Sequence, residues 1–278
     1  MRKVSFFDKK IHGRWLNIIL SISTIGGFTL AFFPEIPLRF RIIAAIACLL
    51  IIGGSYAFTL RKARAVKSRA FKINGSEIIV CEGDIFNCDG LSIIAVNEFF
   101  DTQVDEKIIS SETLHGQYIQ RFWQCKTDAL DHALEADKRI SKNIIEYDVS
   151  RPSGGKTSRY KLGTCFQSGN FVLTAMTKFD NNNAPHITVA EYFSFLCTMW
   201  DEISILCQGK DVFTPVLGGG VTIFDGSNAL SLEERINLML LSFKYHASSW
   251  RQCSKAHILI HKEEINSLDM YHLGEQVL

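Results

Sequence analysis

Two long apolar runs lie near the amino terminus of the chain. The first extends from Trp15 to Phe33 and the second from Ile42 to Leu60, and neither contains a charged residue. Each is close to the roughly 20 residues that a helix needs to cross a bilayer. Pro34 and Pro37 lie between the runs, and proline ends helices and favours a turn. The pattern predicts two transmembrane helices within residues 1–62, at about 15–33 and 42–60, joined by a tight turn.

Positively charged residues flank these runs unevenly. The loop between the runs contains Arg39 and Arg41. More cations precede the first run (Arg2, Lys3, Lys9, Lys10 and Arg14) or follow the second (Arg61, Lys62, Arg64, Lys67, Arg69 and Lys72). Because cytoplasmic flanks are enriched in Lys and Arg, both termini are expected in the cytoplasm. A cleaved signal peptide is the alternative for the first run, but that run is too long and a second span follows it.

Beyond the second run, the pattern changes to that of a soluble domain. The basic stretch 63–72 predicts a juxtamembrane linker attracted to anionic headgroups. Short apolar, β-rich runs predict strands at 77–86, 92–97, 160–167, 171–177, 211–217 and 256–261. Capping boxes at Thr188–Glu191 and Ser231–Glu234 begin two predicted helices, and a third is predicted from Tyr118 to Ile140, with Cys125 facing inward. The alternation indicates an α/β fold with a mixed or parallel sheet, covered on both faces, over residues 73–278.

Composition and charge exclude some classes of function. Lys and Arg number 30 and Asp and Glu 29, so the net charge of +1 gives no reason to expect a nucleic-acid partner. The eight cysteines form no C-x-x-C pair and no Cys/His cluster at metal-ligand spacing, so no metal site is predicted. Reduced, mostly buried thiols are expected, in keeping with a cytosolic domain.

The strongest local signal for a binding site is the segment Pro215–Phe224. There an apolar strand leads directly into Gly218, Gly219 and Gly220. Glycine tolerates left-handed backbone, and successive N–H groups that point inward form a nest for an anion such as phosphate. A flexible turn that binds nothing is the alternative.

An acid and an amide follow the first two predicted strands. Asp84 lies in the turn Gly83–Phe86, and Asn97 ends the strand that follows. Ligands of open α/β sheets bind at the carboxyl ends of strands, where Asp84 would accept a hydrogen bond from an adenine amino group and Asn97 would contact a ribose hydroxyl. In the alternative, Asp84 forms an Asx turn and Asn97 caps a loop.

Taken together, these motifs resemble a known family. GDIF at 83–86, IIAVN at 93–97, the loop at 114–116 and PVLGGGVTIF at 215–224 resemble the macro domain, a module that binds ADP-ribose and its derivatives. The resemblance covers roughly Phe71 to the carboxyl terminus. Two membrane spans ahead of such a domain resemble the ThsA effectors of membrane-type Thoeris antiphage systems. The resemblance implies a transmembrane helical hairpin followed by a macro-like three-layer α/β/α domain with a mixed sheet.

The resemblance also implies which residues bind an ADP-ribose derivative. Asp84 and Ile85 would hold adenine. The distal ribose would be approached by Asn97, Leu114, His115 and Gly116. The diphosphate would lie against Leu217, Gly218, Gly219, Gly220, Val221 and Thr222. Phe224 would lie near the distal ribose or its substituent. Glu98, Asp101 and His115 are candidates for polar contacts with that substituent, and the alternative is that they are solvated loop residues.

No catalytic residue, metal or cofactor is predicted for this domain. Hydrolytic macro domains commonly carry a second asparagine three residues after the first, where this chain has Phe100. They also have a glycine-rich loop with a positioned acid, where this chain has Leu-His-Gly. Hydrolysis of ADP-ribose conjugates is therefore not expected.

The function implied is that of an effector in the bacterial inner membrane. The macro-like domain would sense an ADP-ribose-derived signal, such as histidine-ADP-ribose, made from NAD by a TIR-domain partner enzyme. Membrane disruption and abortive infection would follow. Two helices per chain cannot enclose a pore, so a homo-oligomer is expected. The alternatives are a membrane-tethered ADP-ribosyl hydrolase that uses Asn97 and a passive reader of ADP-ribosylated proteins.

Overall fold

The computed structural model describes residues 4–32, 35, 37–124, 126–226, 229–248, 250, 253–275 and 277. The chain folds as two compact units: Met1–Lys67 with Asn266–His272, and Ser68–Ile265 with Leu273–Leu278. Some residues used in the sequence predictions lie outside the described part of the chain, namely Arg2, Lys3, Phe33, Pro34 and Cys125.

The first unit contains two long helices, α1 (Lys9–Phe32) and α2 (Leu38–Arg64). The Asp8 carboxylate accepts hydrogen bonds from the N–H groups of Lys10 and Ile11, both at 3.0 Å, which explains why α1 begins before the apolar run. Among the described residues, α2 is the one helix that is long and apolar enough to span a membrane by length and composition. The first predicted span is thus present as a helix, and its passage through a membrane stays a prediction.

Side-chain contacts show that α1 and α2 run antiparallel. The Trp15 indole donates to the Ile52 carbonyl at 3.0 Å, and the Arg64 guanidinium donates to the Val4 carbonyl at 3.0 and 3.1 Å. An apolar cluster joins the start of α1 to the end of α2, and its members are Val4, Ile11, Trp15, Tyr56, Leu60, Ala63 and Tyr271. The segment that contains Tyr271 therefore belongs to this unit, although residues 73–278 were predicted to form one domain.

The second unit is built on a mixed sheet. Its strands are β1 (Ser68–Ile73), β2 (Ser76–Glu82), β3 (Leu91–Asn97), β6 (Cys165–Ser168), β7 (Phe171–Phe179), β8 (Pro185–Thr188), β9 (Val212–Pro215), β10 (Ile223–Asp225) and β11 (Lys255–Ile260). The order is β1-β2-β11-β9-β3-β7-β8-β10, with β6 beside β7, and β4 (Ile144–Glu146) pairs separately with β5 (Arg159–Tyr160). The five central strands β2, β11, β9, β3 and β7 are parallel. β1 pairs antiparallel with β2, β6 and β8 each pair antiparallel with β7, and β10 pairs parallel with β8.

Helices cover both faces of this sheet. They are α3 (Leu114–Tyr118), α4 (Asp128–Ala136), α5 (Lys138–Ser141), α6 (Val189–Leu206) and α7 (Leu232–His246). One core cluster joins Ile94 and Val96 of β3 to residues of α3, α4 and α5. Ile93, which points to the opposite face of β3, is also buried, and the buried residues of α6 and α7 lie outside that cluster. The predicted α/β architecture with a mixed sheet is confirmed.

Several predicted boundaries were wrong for local reasons. The strand 77–86 ends at Glu82, because Asp84 caps a short 3₁₀ helix. The strand 160–167 is divided at Gly163, whose φ is +91°. The helix 118–140 is instead a series of short helices, interrupted where Gln124 takes a left-handed φ of +48° and Asp137 is extended.

Two further expectations differ from the structure. The linker 63–72 is reduced to residues 65–67, because α2 continues to Arg64 and β1 begins at Ser68. β1 begins this early because its side chains alternate between more exposed and more buried positions as it pairs with β2. Cys207 and Cys253 form a disulfide, with their Cα atoms 5.5 Å apart, where only reduced thiols were expected. The pair could not be predicted from a local motif, because the two cysteines are 46 residues apart in sequence.

Candidate functional site

The predicted site residues collect at one edge of the sheet. Because β2, β9 and β3 are parallel, the segments that follow them leave at the same edge. The turn with Asp84 follows β2, the loop Leu217–Thr222 follows β9, and Asn97 ends β3. This is the edge at which ligands of open α/β sheets bind.

The Asp84 turn has the local geometry of an Asx turn. The exposed carboxylate accepts hydrogen bonds from the Phe86 N–H at 3.0 Å and from the Asn87 side-chain amide at 2.8 Å. Ile85 is 4% exposed, and its side chain belongs to the core cluster. Of the two residues predicted to hold adenine, Asp84 therefore has a solvent-facing side chain and Ile85 does not.

The glycine loop Leu217–Thr222 has two residues in left-handed conformation. The φ angles are +75° at Gly218 and +61° at Gly220, and the Thr222 N–H donates to the Gly219 carbonyl at 3.3 Å. Within the described part of the chain, no acceptor is found for the N–H groups of Gly218 and Gly220. Alternating backbone conformations that leave N–H groups available are typical of an anion nest.

Two helices support this loop from behind. Tyr192 of α6 is fully buried and donates its hydroxyl hydrogen to the Leu217 carbonyl at 2.9 Å. Phe224 packs edge-on against Tyr192, with ring centroids 5.4 Å apart. A Cβ at Gly218 would lie 3.0 Å from the Phe224 ring, and one at Gly219 would lie 2.5 Å from Nη1 of Arg235 in α7. Glycine at position 218 is therefore favoured both by its left-handed φ and by close packing, whereas a side chain at position 219 would push the end of the Arg235 side chain aside.

Asn97 lies in a buried polar network. Its Oδ1 accepts from the N–H groups of Phe99 and Asp101 at 3.0 and 3.3 Å, and its amide donates to the Asp101 carboxylate at 2.9 Å. The Arg151 guanidinium donates to both Asp101 oxygens at 2.8 and 2.9 Å, and the Lys156 N–H adds a bond of 2.7 Å. Asn97 thus shapes the loop after β3, and its contact with a ribose stays a prediction.

The loop 114–116 lies beside this network. Thr113 caps α3 by accepting the Gly116 N–H at 3.0 Å. Gly116 packs against the backbone, because a Cβ there would lie 2.2 Å from the Ser110 carbonyl oxygen. Leu114 is 36% exposed, whereas His115 is buried and its Nε2 has no hydrogen-bond partner in the described part of the chain.

His115 is held as a neutral imidazole. Burial lowers its pKa to about 3, and the charge of Lys156 acts in the same direction, against the opposing effect of a hydrogen bond with the Asp101 backbone. The side chain therefore carries no charge at neutral pH. Its free nitrogen is an available donor or acceptor beside the Asp101 network.

A cavity of about 270 Å³ adjoins the same network. Its walls are the loop after β3, the end of α4 and the segment that contains Lys156, and its lining residues are Phe99, Phe100, Leu134, Glu135, Gly155, Lys156, Thr157, Ser158 and Tyr160. None of the predicted ligand-binding residues lines it. The sheet edge therefore has two distinct features, the glycine loop and this cavity beside the Asp101 network.

Sequence reasoning missed the two arginines of the site. Arg151 lies in an irregular segment with no periodic pattern. Arg235 could have been found, because it falls at helical spacing between Leu232 and Met239 on the inward face of α7. A charged residue on a buried helix face is unusual and commonly has a specific partner or function. No group of three or more His, Cys, Asp or Glu that could hold a metal occurs among the described residues.

Comparison with known proteins identifies the family. The family model "Thoeris protein ThsA, Macro domain" matches residues 78–261. The chain is 36% identical over 273 residues to the Thoeris protein ThsA of Bacillus amyloliquefaciens (strain Y2), covering 96% of this chain and 90% of that protein.

Solved structures give a weaker likeness. The Oceanobacillus iheyensis macrodomain with ADP has a TM-score of 0.42 at 10% identity, covering 75% of this chain and 95% of that one. The same macrodomain with MES bound has a TM-score of 0.43 at 10% identity, covering 76% and 98%. Scores below 0.5 are too low to add to the assignment, which rests on the two sequence matches. On those matches, this chain belongs to the Thoeris ThsA family and its second unit is a ThsA macro domain.

Proposed function

We propose that this chain is a membrane-anchored antiphage effector whose macro domain binds an ADP-ribose-derived signal. The observation that carries the proposal is the glycine loop Leu217–Thr222 at the carboxyl end of β9. Its left-handed glycines and available N–H groups suit a diphosphate. The Asp84 turn follows β2 and the Asn97 loop follows β3, on opposite sides of the glycine loop in the strand order, so an adenosine and a distal ribose could extend in the two directions.

The membrane role is supported by the first unit. Both helices expose large apolar side chains along their length, among them Leu20, Ile25, Leu49 and Leu50. Exposed apolar surface of this extent is typical of a membrane or protein contact. In the proposal, α1 and α2 both cross the bacterial inner membrane, with both termini and the macro domain in the cytoplasm.

Signalling requires that the ligand favour one arrangement of the chain over another. A ligand shifts such an equilibrium only by its difference in affinity for the two states. The proposed signal is an ADP-ribose conjugate such as histidine-ADP-ribose, made by a TIR-domain NAD-consuming enzyme. Because two helices per chain cannot enclose a pore, the active form would be a homo-oligomer that disrupts the membrane and causes abortive infection.

The geometry of the Asn97 loop favours a sensor over a hydrolase. The Asn97 side chain is used for loop contacts, and Phe100, in place of a second asparagine, has a left-handed φ of +50° and is 2% exposed. Neither side chain is positioned to activate a water molecule on a solvent-facing ligand. The sensor is therefore expected to bind its ligand without consuming it.

Reconstitution of the full chain into dye-loaded liposomes tests this proposal. We expect dye release and larger crosslinked species after addition of an ADP-ribose conjugate, with that ligand recovered intact. Gly219→Leu, whose side chain would displace the Arg235 guanidinium and disturb the loop, should abolish release. Binding without release would favour the passive reader, and turnover that is lost in Asn97→Ala would favour the hydrolase.

A further inference from the structure

The Arg235 side chain lies against the glycine loop without a counter-charge among the described residues. The residue is 9% exposed, and its Nε is buried with no hydrogen-bond partner in the described part of the chain. Its guanidinium reaches the loop, because a Cβ on Gly219 would lie 2.5 Å from Nη1. The cation is therefore aimed at the middle of the three glycines.

Acidic groups close to Arg235 in sequence are engaged elsewhere. The Glu234 carboxylate accepts from the N–H and hydroxyl of Ser231 at 2.8 and 2.7 Å, as part of the capping box. The Asp225 carboxylate pairs with His186 at 2.7 Å. No ion pair of Arg235 is found among the residues that the structure describes.

Tyr192, a titratable group near Arg235, supplies no negative charge either. Tyr192 is buried under the same loop, and burial raises the pKa of its hydroxyl, with Arg235 acting in the opposite direction. The hydroxyl remains protonated at neutral pH, since it also donates to the Leu217 carbonyl. Arg235 is thus a buried cation that lies near a neutral phenol and a glycine backbone.

A buried charge without a partner is costly, so its retention requires an explanation. Charged groups inside proteins are normally paired or hydrogen-bonded. Arg presents a planar fork of donors that matches phosphate oxygens, and a ligand anion would supply the missing charge. The N–H groups of the loop and the guanidinium would then bind the anion from two sides.

We propose that Arg235 is the charge partner of the ligand's diphosphate and that, with the glycine loop, it forms an anion subsite that selects diphosphate-containing ligands. This inference rests on the proposed function for the identity of the ligand. It adds a side chain from α7 to a subsite that sequence reasoning assigned to the loop alone. It also implies that Arg235 is unfavourable for the stability of the ligand-free protein.

The test compares three variants of the full chain in nanodiscs. Arg235→Met removes the charge, Arg235→Lys keeps it without the fork, and Lys244→Met removes a cation from the same helix that donates instead to the Val277 carbonyl. Affinity for inorganic pyrophosphate and for ADP-ribose is measured by calorimetry, and ligand-free thermal stability by tryptophan fluorescence. Loss of hydrogen bonds to a charged group predicts about 10- to 100-fold weaker binding of both ligands to Arg235→Met.

Stability provides the second readout. The ligand-free melting temperature of Arg235→Met should equal or exceed that of the wild type, because an unpaired buried charge has been removed. Arg235→Lys should bind with intermediate affinity, and Lys244→Met should bind as the wild type does. A lower melting temperature for Arg235→Met would indicate a structural role and overturn the inference.

The ligands separate this inference from the proposed function. Adding histidine-ADP-ribose to the titrations gives each claim its own outcome. Arg235-dependent binding of pyrophosphate, without binding of ADP-ribose or histidine-ADP-ribose, would support the anion subsite and reject the proposed ligand. Binding of either ADP-ribose compound that is unchanged in Arg235→Met would support the proposed ligand and reject the subsite. Absence of binding of all three compounds to the wild type would reject both.

Discussion

Removal of the Asp101 charge is expected to destabilise the macro domain strongly. The Asp101 side chain is 2% exposed and that of Arg151 is 6% exposed, and their atoms approach to 2.8 Å. Asp101→Asn would leave the Arg151 guanidinium buried without its counter-charge. In the wild type, the carboxylate accepts hydrogen bonds from Arg151, Lys156 and Asn97. The side-chain amide of the variant would bring its own N–H donors next to these three donors.

The size of this effect follows from the geometry. At a separation of about 3 Å and an effective dielectric constant of about 20, the charge–charge attraction is about 5 kcal/mol. Breaking a buried pair by removal of one partner costs about 3–5 kcal/mol in other proteins. For a domain of this size, that loss corresponds to a fall in melting temperature of roughly 6–20 °C.

A more exposed ion pair in the same unit provides the matched control. Arg139 and Glu202 approach to 2.5 Å, but their side chains are 36% and 24% exposed. Glu202→Gln should therefore cost at most about 1 kcal/mol. Thermal unfolding of the full chain in detergent, followed by tryptophan fluorescence, compares the two variants.

A second variant isolates the unpaired charge as the cause. In Asp101→Asn combined with Arg151→Met, the loss should be smaller than the sum of the two single losses, because no uncompensated cation remains. The reasoning would be refuted if Asp101→Asn and Glu202→Gln lowered the melting temperature equally. Strict additivity of the Asp101 and Arg151 changes would also refute it.

Three other predictions concern stability. Gly218→Ala should lower the free energy of unfolding by about 2–3 kcal/mol, because the new side chain adds left-handed strain and crowds the Phe224 ring. Gly220→Ala, where space is open, should lower it by about 1 kcal/mol, and equal losses of the two variants in urea unfolding would contradict this. Because folding lowers the His115 pKa from 6.5 to about 3, its contribution is present above pH 6.5 and lost as the pH falls towards 3. The His115→Gln variant should therefore lose less stability than the wild type as the pH falls from 6.5 towards 3. An equal or steeper loss in the variant would contradict a neutral, buried His115. Reduction of Cys207–Cys253, which closes a loop of 46 residues, should lower the free energy of unfolding by about 2–4 kcal/mol; identical melting curves with and without reductant would count against it.

The sequence predicted the framework of the macro domain because its signals are local and repeated. The strand at 92–97 and the capping boxes at Thr188 and Ser231 each combine periodicity with a clear boundary, and the structure confirms them. The run 77–86 was read as one strand because apolar composition alone does not reveal that Asp84 begins a 3₁₀ turn. Edge strands such as β1 and β10 were missed because they are short or flanked by charge.

The candidate site was only partly predictable, because it depends on contacts between distant segments. The glycine loop was recognisable from three consecutive glycines. The link between Asp101 and Arg151 joins residues 50 positions apart, and no motif marks it. Arg235 was not predicted because the helical pattern was read from apolar residues alone. Its spacing nevertheless places it on the buried face of the helix.

Calorimetric titration of the full chain in nanodiscs with ADP-ribose, NAD and histidine-ADP-ribose tests the central claim most directly. The account predicts saturable binding of at least one ADP-ribose derivative, recovery of that ligand intact, and loss of binding in Gly219→Leu. No measurable heat with any of the three compounds, or equal binding by wild type and Gly219→Leu, would contradict an ADP-ribose sensor built on the glycine loop.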